Sequence, residues 1–219
     1  MATAKAAKGK GANMLEIKNV TYRIADKDIL PPQSLTIEQG QHLLLLGPSG
    51  CGKTTLMNLA AGLLRPTSGD IEFQGKGYAV LSDSALDSLR AENFGFVFQK
   101  LHLIGHLTVA QNIAVAQTKT DPTRINTLLV ELGMADKAGQ RARDLSVGEA
   151  QRVAIARAVV NNPKVIFADE PTSALDDANT DKIMNLIFTQ AAKTGATVIA
   201  ATHDARIKER FGQVLEMAA

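Results

Sequence analysis

The sequence predicts an α/β protein built on a mostly parallel β-sheet. Short β-rich runs alternate with helical stretches from residue 15 onward, and four of the runs are apolar almost throughout. A run that is apolar at every position is typical of a strand covered on both faces, as in a parallel sheet with helices on each side. The alternation therefore indicates a doubly wound sheet.

The strands follow in order along the chain. Residues 15–24 alternate apolar and polar positions, which predicts a half-exposed strand, whereas residues 42–47 are apolar throughout and predict a central parallel strand. Similar buried strands are predicted at residues 94–99, 165–170 and 197–204, each followed by loop residues or a helix.

The helices fall into two groups. The strand signal disappears between residues 99 and 144, leaving helical segments near 109–116 and 124–132, so we expect a helical lobe at about residues 100–160, inserted in the sheet domain. Residues 178–193 show helical spacing of apolar positions and predict a helix that covers the sheet.

Composition limits the class of protein. The chain has 219 residues, the size of one domain, and a formal net charge of +2, which argues against a broad basic surface for nucleic acid. The single cysteine, Cys51, excludes an internal disulfide framework and makes a cytoplasmic protein the default. No run approaches the roughly 18 consecutive apolar residues of a membrane span. We expect residues 1–13 to be a disordered basic tail and residues 14–219 to form a single domain.

A glycine-rich segment predicts a phosphate-binding loop. Residues 47–54, GPSGCGKT, match G-x-x-x-x-G-K-[ST] directly after a buried strand and directly before a helix. In this pattern backbone N–H groups form an anion nest, Lys53 reaches the β and γ phosphates, and the Thr54 hydroxyl binds Mg²⁺. The alternative is a glycine-rich turn with a chance Lys-Thr. The predicted phosphate-binding residues are Gly47, Pro48, Ser49, Gly50, Cys51, Gly52, Lys53, Thr54 and Thr55.

Two adjacent carboxylates follow another buried strand. Residues 165–170, VIFADE, place Asp169 and Glu170 at the carboxyl end of the strand, where ligands bind in open α/β sheets. We expect Asp169 to hold the Mg²⁺ shell and Glu170 to orient and polarise an attacking water. The alternative is a solvated acidic pair at a strand end.

Four further segments complete a family pattern. They are LSVGEAQR at residues 145–152 (the signature), SALD at residues 173–176, Gln99 after FGFVF, and His203 after TVIAAT. With the two motifs above, they resemble the ATP-binding cassette (ABC) ATPases over nearly the whole chain. The resemblance implies a P-loop NTPase (RecA-like) core with a small antiparallel β subdomain. It also implies a head-to-tail dimer that holds two ATP molecules, each between the P-loop of one chain and the signature of the other.

The resemblance carries over to individual residues. Tyr22 resembles the aromatic that stacks on adenine, Gln99 the residue that contacts Mg²⁺ and senses the membrane partner, and His203 the γ-phosphate contact. Ser146 and Gly148 would contact the γ phosphate of the partner chain. Each residue has a plainer alternative. Tyr22 could simply face solvent, and Gln99 could be a polar strand end. His203 could be a histidine paired at a strand terminus, and Ser146 could only cap its helix.

The signature departs from the common L-S-G-G-Q, with Val147 for a glycine and Glu149 for glutamine. Ser146 and Glu149 are spaced as a capping box, which predicts that a helix begins here and presents its positive end to a phosphate. Val147 adds bulk beside that contact. Asp176, in SALD, would connect the two sites of the dimer.

These residues together predict a Mg²⁺-dependent ATPase with Glu170, His203 and Lys53 as its catalytic residues. The resemblance implies integral membrane permease subunits and a second, identical ATPase subunit as partners, and a place on the cytoplasmic face of the cell membrane. FQKLHLIGHLTV and VLEM resemble the lipoprotein-release, macrolide-export and cell-division subgroup. The alternatives are an ATPase of amino-acid or metal importers, a cytosolic ABC ATPase without a transport role, and a small-molecule kinase.

Overall fold

The computed structural model describes residues 13–173 and 175–218. The basic tail predicted at residues 1–13 lies outside the described residues except for Asn13, which begins the first strand instead of ending the tail. Within the described residues, the strands form one sheet of five and one of four. None of the helices in these ranges is long and apolar enough to cross a membrane.

The helices and strands of the described residues are numbered in chain order. The strands are β1 Asn13–Ile24, β2 Lys27–Glu38, β3 Leu43–Leu46, β4 Ser68–Phe73, β5 Lys76–Gly77, β6 Phe94–Val97, β7 Val165–Asp169, β8 Thr197–Thr202 and β9 Gln213–Glu216. The α-helices are α1 Lys53–Ala60, α2 Asp83–Asn93, α3 Val109–Ala114, α4 Pro122–Glu131, α5 Val147–Val159 and α6 Asp177–Thr194.

The five-stranded sheet has the order β6-β7-β8-β3-β9, and its neighbours pair in parallel. All four predicted buried strands belong to it, with β3 in the interior as expected and β6 at one edge. The sequence did not predict β9, a four-residue strand of partly exposed side chains that pairs with β3. Because parallel strands end at the same edge, the segments after β3, β6, β7 and β8 meet there.

The four-stranded antiparallel sheet has the order β2-β1-β4-β5. The predicted alternation of β1 holds for Leu15 and Ile17, and a bulge then shifts the buried position to Val20. Strand β2 contains Pro31 and Pro32, which lack N–H donors and are tolerated here because β2 lies at the edge of this sheet.

Three helices, α3, α4 and α5, occupy the stretch where the sequence predicts a helical lobe. They begin at side-chain caps: Thr108 and Gln111 form a capping box before α3, Asp121 caps α4, and Ser146 with Glu149 forms the predicted capping box of α5. Helix α5 packs directly on β6, the edge strand of the parallel sheet. The lobe is therefore joined to the sheet through α5.

The parallel sheet separates two hydrophobic cores. Leu44 belongs to a core that continues into the helical lobe and α6, whereas its neighbours Leu43 and Leu45 belong to a core shared with α1 and the antiparallel sheet. Strand side chains alternate between faces, so one strand supplies both cores. The segments that follow β3, β7 and β8 are thus held from both sides of the sheet.

Candidate active site

The loop between β3 and α1 has the backbone of a phosphate-binding loop. Gly50 and Gly52 have φ of +85° and +93°, in the left-handed region that favours glycine. A Cβ on Gly47 would lie 2.3 Å from the carbonyl oxygen of Met217, which follows β9. At these three positions the fold requires glycine for backbone reasons.

Lys53, the first residue of α1, is buried with 5% of its surface exposed. Its Nζ donates to the carbonyl oxygens of Gly47 and Pro48, both at 2.8 Å. An ammonium group has three donors, so one remains for a ligand in the cleft. The loop therefore holds a positive charge at a defined point.

Cys51 packs beneath the loop. Its side chain is 7% exposed, belongs to the core shared with α1, and approaches Gly47 closely. The structure thus gives the thiol a packing position beneath the loop.

The hydroxyl of Thr54 lies 3.1 Å from both carboxylate oxygens of Asp169, at the end of β7. Burial raises the pKa of the Asp169 carboxyl, and the hydrogen bond from Thr54 opposes that shift. A hydroxyl and a carboxylate at this distance are oxygen ligands of the kind Mg²⁺ prefers.

Glu170 turns its side chain into the same region. Its backbone has a φ of +46°, which is unusual for a residue with a side chain, and its N–H donates to the Ala201 carbonyl at 2.7 Å. Oε1 lies 3.0 Å from Nδ1 of His203 and 4.0 Å from Nζ of Lys53. Oε2 accepts a hydrogen bond from the Thr202 hydroxyl at 2.8 Å.

A cleft of about 450 Å³ lies over the loop at the carboxyl edge of the sheet. It brings together predicted residues from the loop, the end of β7 and the segments after β6 and β8, together with Ile29 of β2, which the sequence analysis did not select. The lining residues are Ile29, Pro48, Ser49, Gly50, Gly52, Lys53, Thr54, Thr55, Gln99, Glu170 and His203.

Other predicted residues lie outside this lining. Gly47, Cys51 and Asp169 lie behind it, in the loop and at the strand end. Tyr22 is half-buried on β1 against the core shared with α1, and the structure does not bring it into the cleft.

The signature residues also lie outside the cleft. Ser146 and Val147 are exposed at the N-terminus of α5, with Val147 73% exposed, and Gly148 is half-buried. Glu149 accepts from the Ser146 N–H at 2.8 Å and pairs with Lys137 at 2.7 Å. The hydrogen bond from Lys137, together with those from Ser146, lowers the pKa of Glu149 to about 2.

Comparison with known proteins decides the family. Residues 30–173, more than half of the chain, match the family model described as ABC transporter. The chain belongs to the ABC transporter family. The membership, the ATPase class and the P-loop fold expected from the sequence are confirmed.

The curated relatives of this ABC cassette include macrolide export proteins. The macrolide export ATP-binding/permease protein MacB of Salmonella choleraesuis is 40% identical over 214 residues, which are 93% of this chain and 33% of that protein. MacB of Bartonella quintana is 38% identical over 215 residues, 94% of this chain and 32% of that protein. The chain thus spans about a third of the length of these relatives, and their names agree with the predicted subgroup.

A solved ABC structure covers the same region. It is a dimeric ATP-binding cassette in a post-hydrolysis state, bound to ADP and Pi, with a TM-score of 0.83 and 32% identity over 93% of this chain and 94% of that chain.

Sequence reasoning missed three residues with contacts at or near the predicted site residues. Ile29 lines the cleft, Thr202 contacts Glu170, and Lys137 pairs with Glu149 of the signature. Thr202 carried a usable signal, since it directly precedes His203 at the end of a buried strand. Ile29 and Lys137 reach their positions only through the tertiary fold.

Proposed function

We propose that this ABC cassette is the ATP-hydrolysing subunit of a membrane transporter, and that two copies close on ATP to drive integral membrane permease subunits. The observation that carries this proposal is the convergence of two distant segments in one cleft. Thr54 of the loop contacts Asp169 at 3.1 Å, and Glu170 approaches the Lys53 ammonium to 4.0 Å. This is the arrangement required to bind a nucleotide phosphate chain and attack its end.

The loop amides and Lys53 bind the phosphates of ATP. Thr54 and Asp169 fit Mg²⁺, with Gln99 as the third candidate ligand from the far side of the cleft. When bound, Mg²⁺ would neutralise negative charge on the β and γ phosphates. The other loop residues that line the cleft offer backbone N–H groups to the phosphates; they are Ser49, Gly50, Gly52 and Thr55. Pro48 has no N–H, and the N–H of Gly47 donates to Thr202.

Glu170 and His203 act on the γ phosphate. Glu170 is 12% exposed, and its Oε1 faces the cleft, where a carboxylate accepts a proton from an attacking water. His203 is 60% exposed at the cleft and is free to contact the γ phosphate. Lys53 stabilises the negative charge on the transferred group.

A second copy completes each site. Ser146 is exposed and Gly148 half-buried at the start of a thirteen-residue helix, and both lie outside the cleft of their own chain. The N–H groups at that end favour an anion. The position of this helix end supports a head-to-tail homodimer, in which Asp176 at the start of α6 connects the two sites. Tyr22 lies outside the cleft over the phosphate-binding loop and would meet the adenine rather than the phosphates.

A groove beside Gln99 supports docking of the permease. It has a volume of about 340 Å³ between α2, β6 and α5, with Phe96, Phe98 and Arg157 in its lining. Arg157 also donates to the carbonyl oxygens of Leu101 and His102, at 2.6 and 2.7 Å, and so ties the segment after Gln99 to the lobe. A permease segment in this groove would press on the segment that carries Gln99. The cassette would then lie at the cytoplasmic face of the membrane.

The names of the macrolide-export relatives favour export or mechanical work outside the cytoplasm over import. The test is to purify the tagged chain from gently solubilised membranes of its native cell and to identify stoichiometric partners by mass spectrometry. A permease with a large extracytoplasmic domain is the expected partner. A compact permease with a binding protein would favour an amino-acid or metal importer, and recovery of soluble partners alone would overturn the transport proposal.

A further inference from the structure

Thr202, the last residue of β8, connects the two walls of the cleft. Its carbonyl oxygen accepts from the N–H of Gly47 in the phosphate-binding loop at 3.3 Å. Its hydroxyl lies 2.8 Å from Oε2 of Glu170. The side chain of Thr202 is fully buried and does not line the cleft, so it contacts Glu170 from behind.

The direction of this hydrogen bond follows from the acceptor, which is a carboxylate. The backbone N–H of Asp204 donates to the Thr202 hydroxyl at 3.0 Å. A carboxylate oxygen can only accept, so the hydroxyl gives its single proton to Glu170 and uses a lone pair for the N–H of Asp204. Thr202 thus donates to a charged acceptor, which is a strong kind of hydrogen bond.

The two oxygens of Glu170 are held differently. Oε2 is bound by a buried, β-branched side chain, which has little rotational freedom in a strand. Oε1 meets His203, whose side chain is 60% exposed and can leave when a phosphate arrives. One oxygen is therefore fixed while the other is available to a water.

We propose that Thr202 is a positioning residue, which holds Oε2 of Glu170 so that Oε1 points at the attacking water. This inference deepens the proposed function and rests on it, because it assigns Thr202 a role only if Glu170 acts on that water.

The test compares ATP hydrolysis by Thr202→Val, Thr202→Ser and Thr202→Ala with that of the unchanged full chain. Valine keeps the shape and removes the hydroxyl, serine keeps the hydroxyl, and alanine is the second hydroxyl-free variant if valine fails to fold. We expect the kcat of the Val and Ala variants to fall by about ten- to a hundredfold, the equivalent of one hydrogen bond to a charged group. The KM for ATP should stay within about twofold because Thr202 does not line the cleft, and serine should restore kcat.

Thr197→Val is a matched control. Thr197 is a fully buried threonine on the same strand, and its hydroxyl also accepts a backbone N–H, that of Gly40 at 2.8 Å, but it lies at the end of β8 far from Glu170. Thr197→Val loses a hydrogen bond from a backbone N–H to a buried threonine hydroxyl, as Thr202→Val does, but no contact with Glu170. Its kcat should stay near that of the unchanged chain.

Glu170→Gln in the same assay separates the two proposals. If Glu170→Gln abolishes hydrolysis while the valine and alanine variants keep full kcat, Thr202 has no positioning role and the proposed function stands. An equal loss of kcat in the serine and valine variants would also overturn the positioning role, since the hydroxyl would then not be the cause. Full hydrolysis by Glu170→Gln would remove the catalytic assignment itself.

Discussion

Adding a methyl group at Gly95, as in Gly95→Ala, is expected to push helix α5 of the helical lobe away from the sheet. Gly95 is a buried residue of the edge strand β6, and helix α5 lies against it. A Cβ at this position would lie 2.0 Å from the carbonyl oxygen of Ala158 and 3.1 Å from Cγ of Pro163. The first of these contacts is with backbone, so no side-chain rotation can relieve it.

The size of the effect follows from that distance. Close carbon–oxygen contacts are about 3.3 Å, so α5 must move by about 1.3 Å in Gly95→Ala. Overpacking costs about 1–3 kcal/mol, and we expect the upper end because backbone must shift. For a chain of this size 3 kcal/mol corresponds to a fall in Tm of about 6–12 °C. Since α5 also carries Ser146, and a misplacement of about 1 Å can cost 100-fold in rate, ATP hydrolysis should fall with it.

Thermal unfolding and phosphate release of the full chain test this expectation. Gly139→Ala is the control, because a Cβ there meets nothing within 4 Å and its φ does not require glycine. Nucleotide binding at the loop after β3 should persist at low temperature in both variants. A Gly95→Ala protein with the Tm and hydrolysis rate of the control would refute the argument that α5 and β6 are in fixed backbone contact.

Three further outcomes are expected. Glu170→Gln should keep nucleotide binding and lose at least about 100-fold in phosphate release, the contribution of a general base, whereas undiminished turnover would speak against that role. Cys51, at 7% exposure, should react with a thiol reagent only slowly in the folded chain and fully after unfolding, as followed by mass; rapid labelling of the folded chain would contradict its buried position. The pKa of Glu149 is lowered from 4.5 to about 2, so the stability it contributes is fully present above pH 4.5 and is lost as the pH falls towards 2. The Tm of the unchanged chain should therefore fall more across this window than that of Glu149→Gln, and an equal fall would contradict the pairing with Lys137.

The parts of the site that the sequence predicted are contiguous motifs. Residues 47–54 carry their own context of strand, loop and helix, and Glu170 follows directly on a strand apolar at nearly every position. Both segments come to the same edge because parallel strands share their direction, so that edge could be predicted without knowing any contact. The start of α5 could also be predicted from a local pattern, since Ser146 and Glu149 have the spacing of a capping box.

What escaped prediction depends on tertiary contacts. Helix α2 buries only Leu86, so its sequence lacks an apolar stripe. Strand β9 is short and takes its register from β3, and β2 contains adjacent prolines that argue against a strand unless its edge position is known. The contact of Thr202 with Glu170 joins two residues that are 32 positions apart in the sequence, and no local pattern contains it.

Mutations in the strand β3 are expected to affect two separate hydrophobic cores, one on each face of the sheet. Leu44 and Leu45 are consecutive, yet one packs with the helical lobe and the other with α1 and the antiparallel sheet. Substitutions on opposite faces of the sheet share no packing partners, so their changes in the free energy of unfolding should add. Substitutions within one core should not be additive. Substitutions at adjacent positions of β3 are therefore not expected to compensate each other. Compensating substitutions are expected on the same face of the sheet.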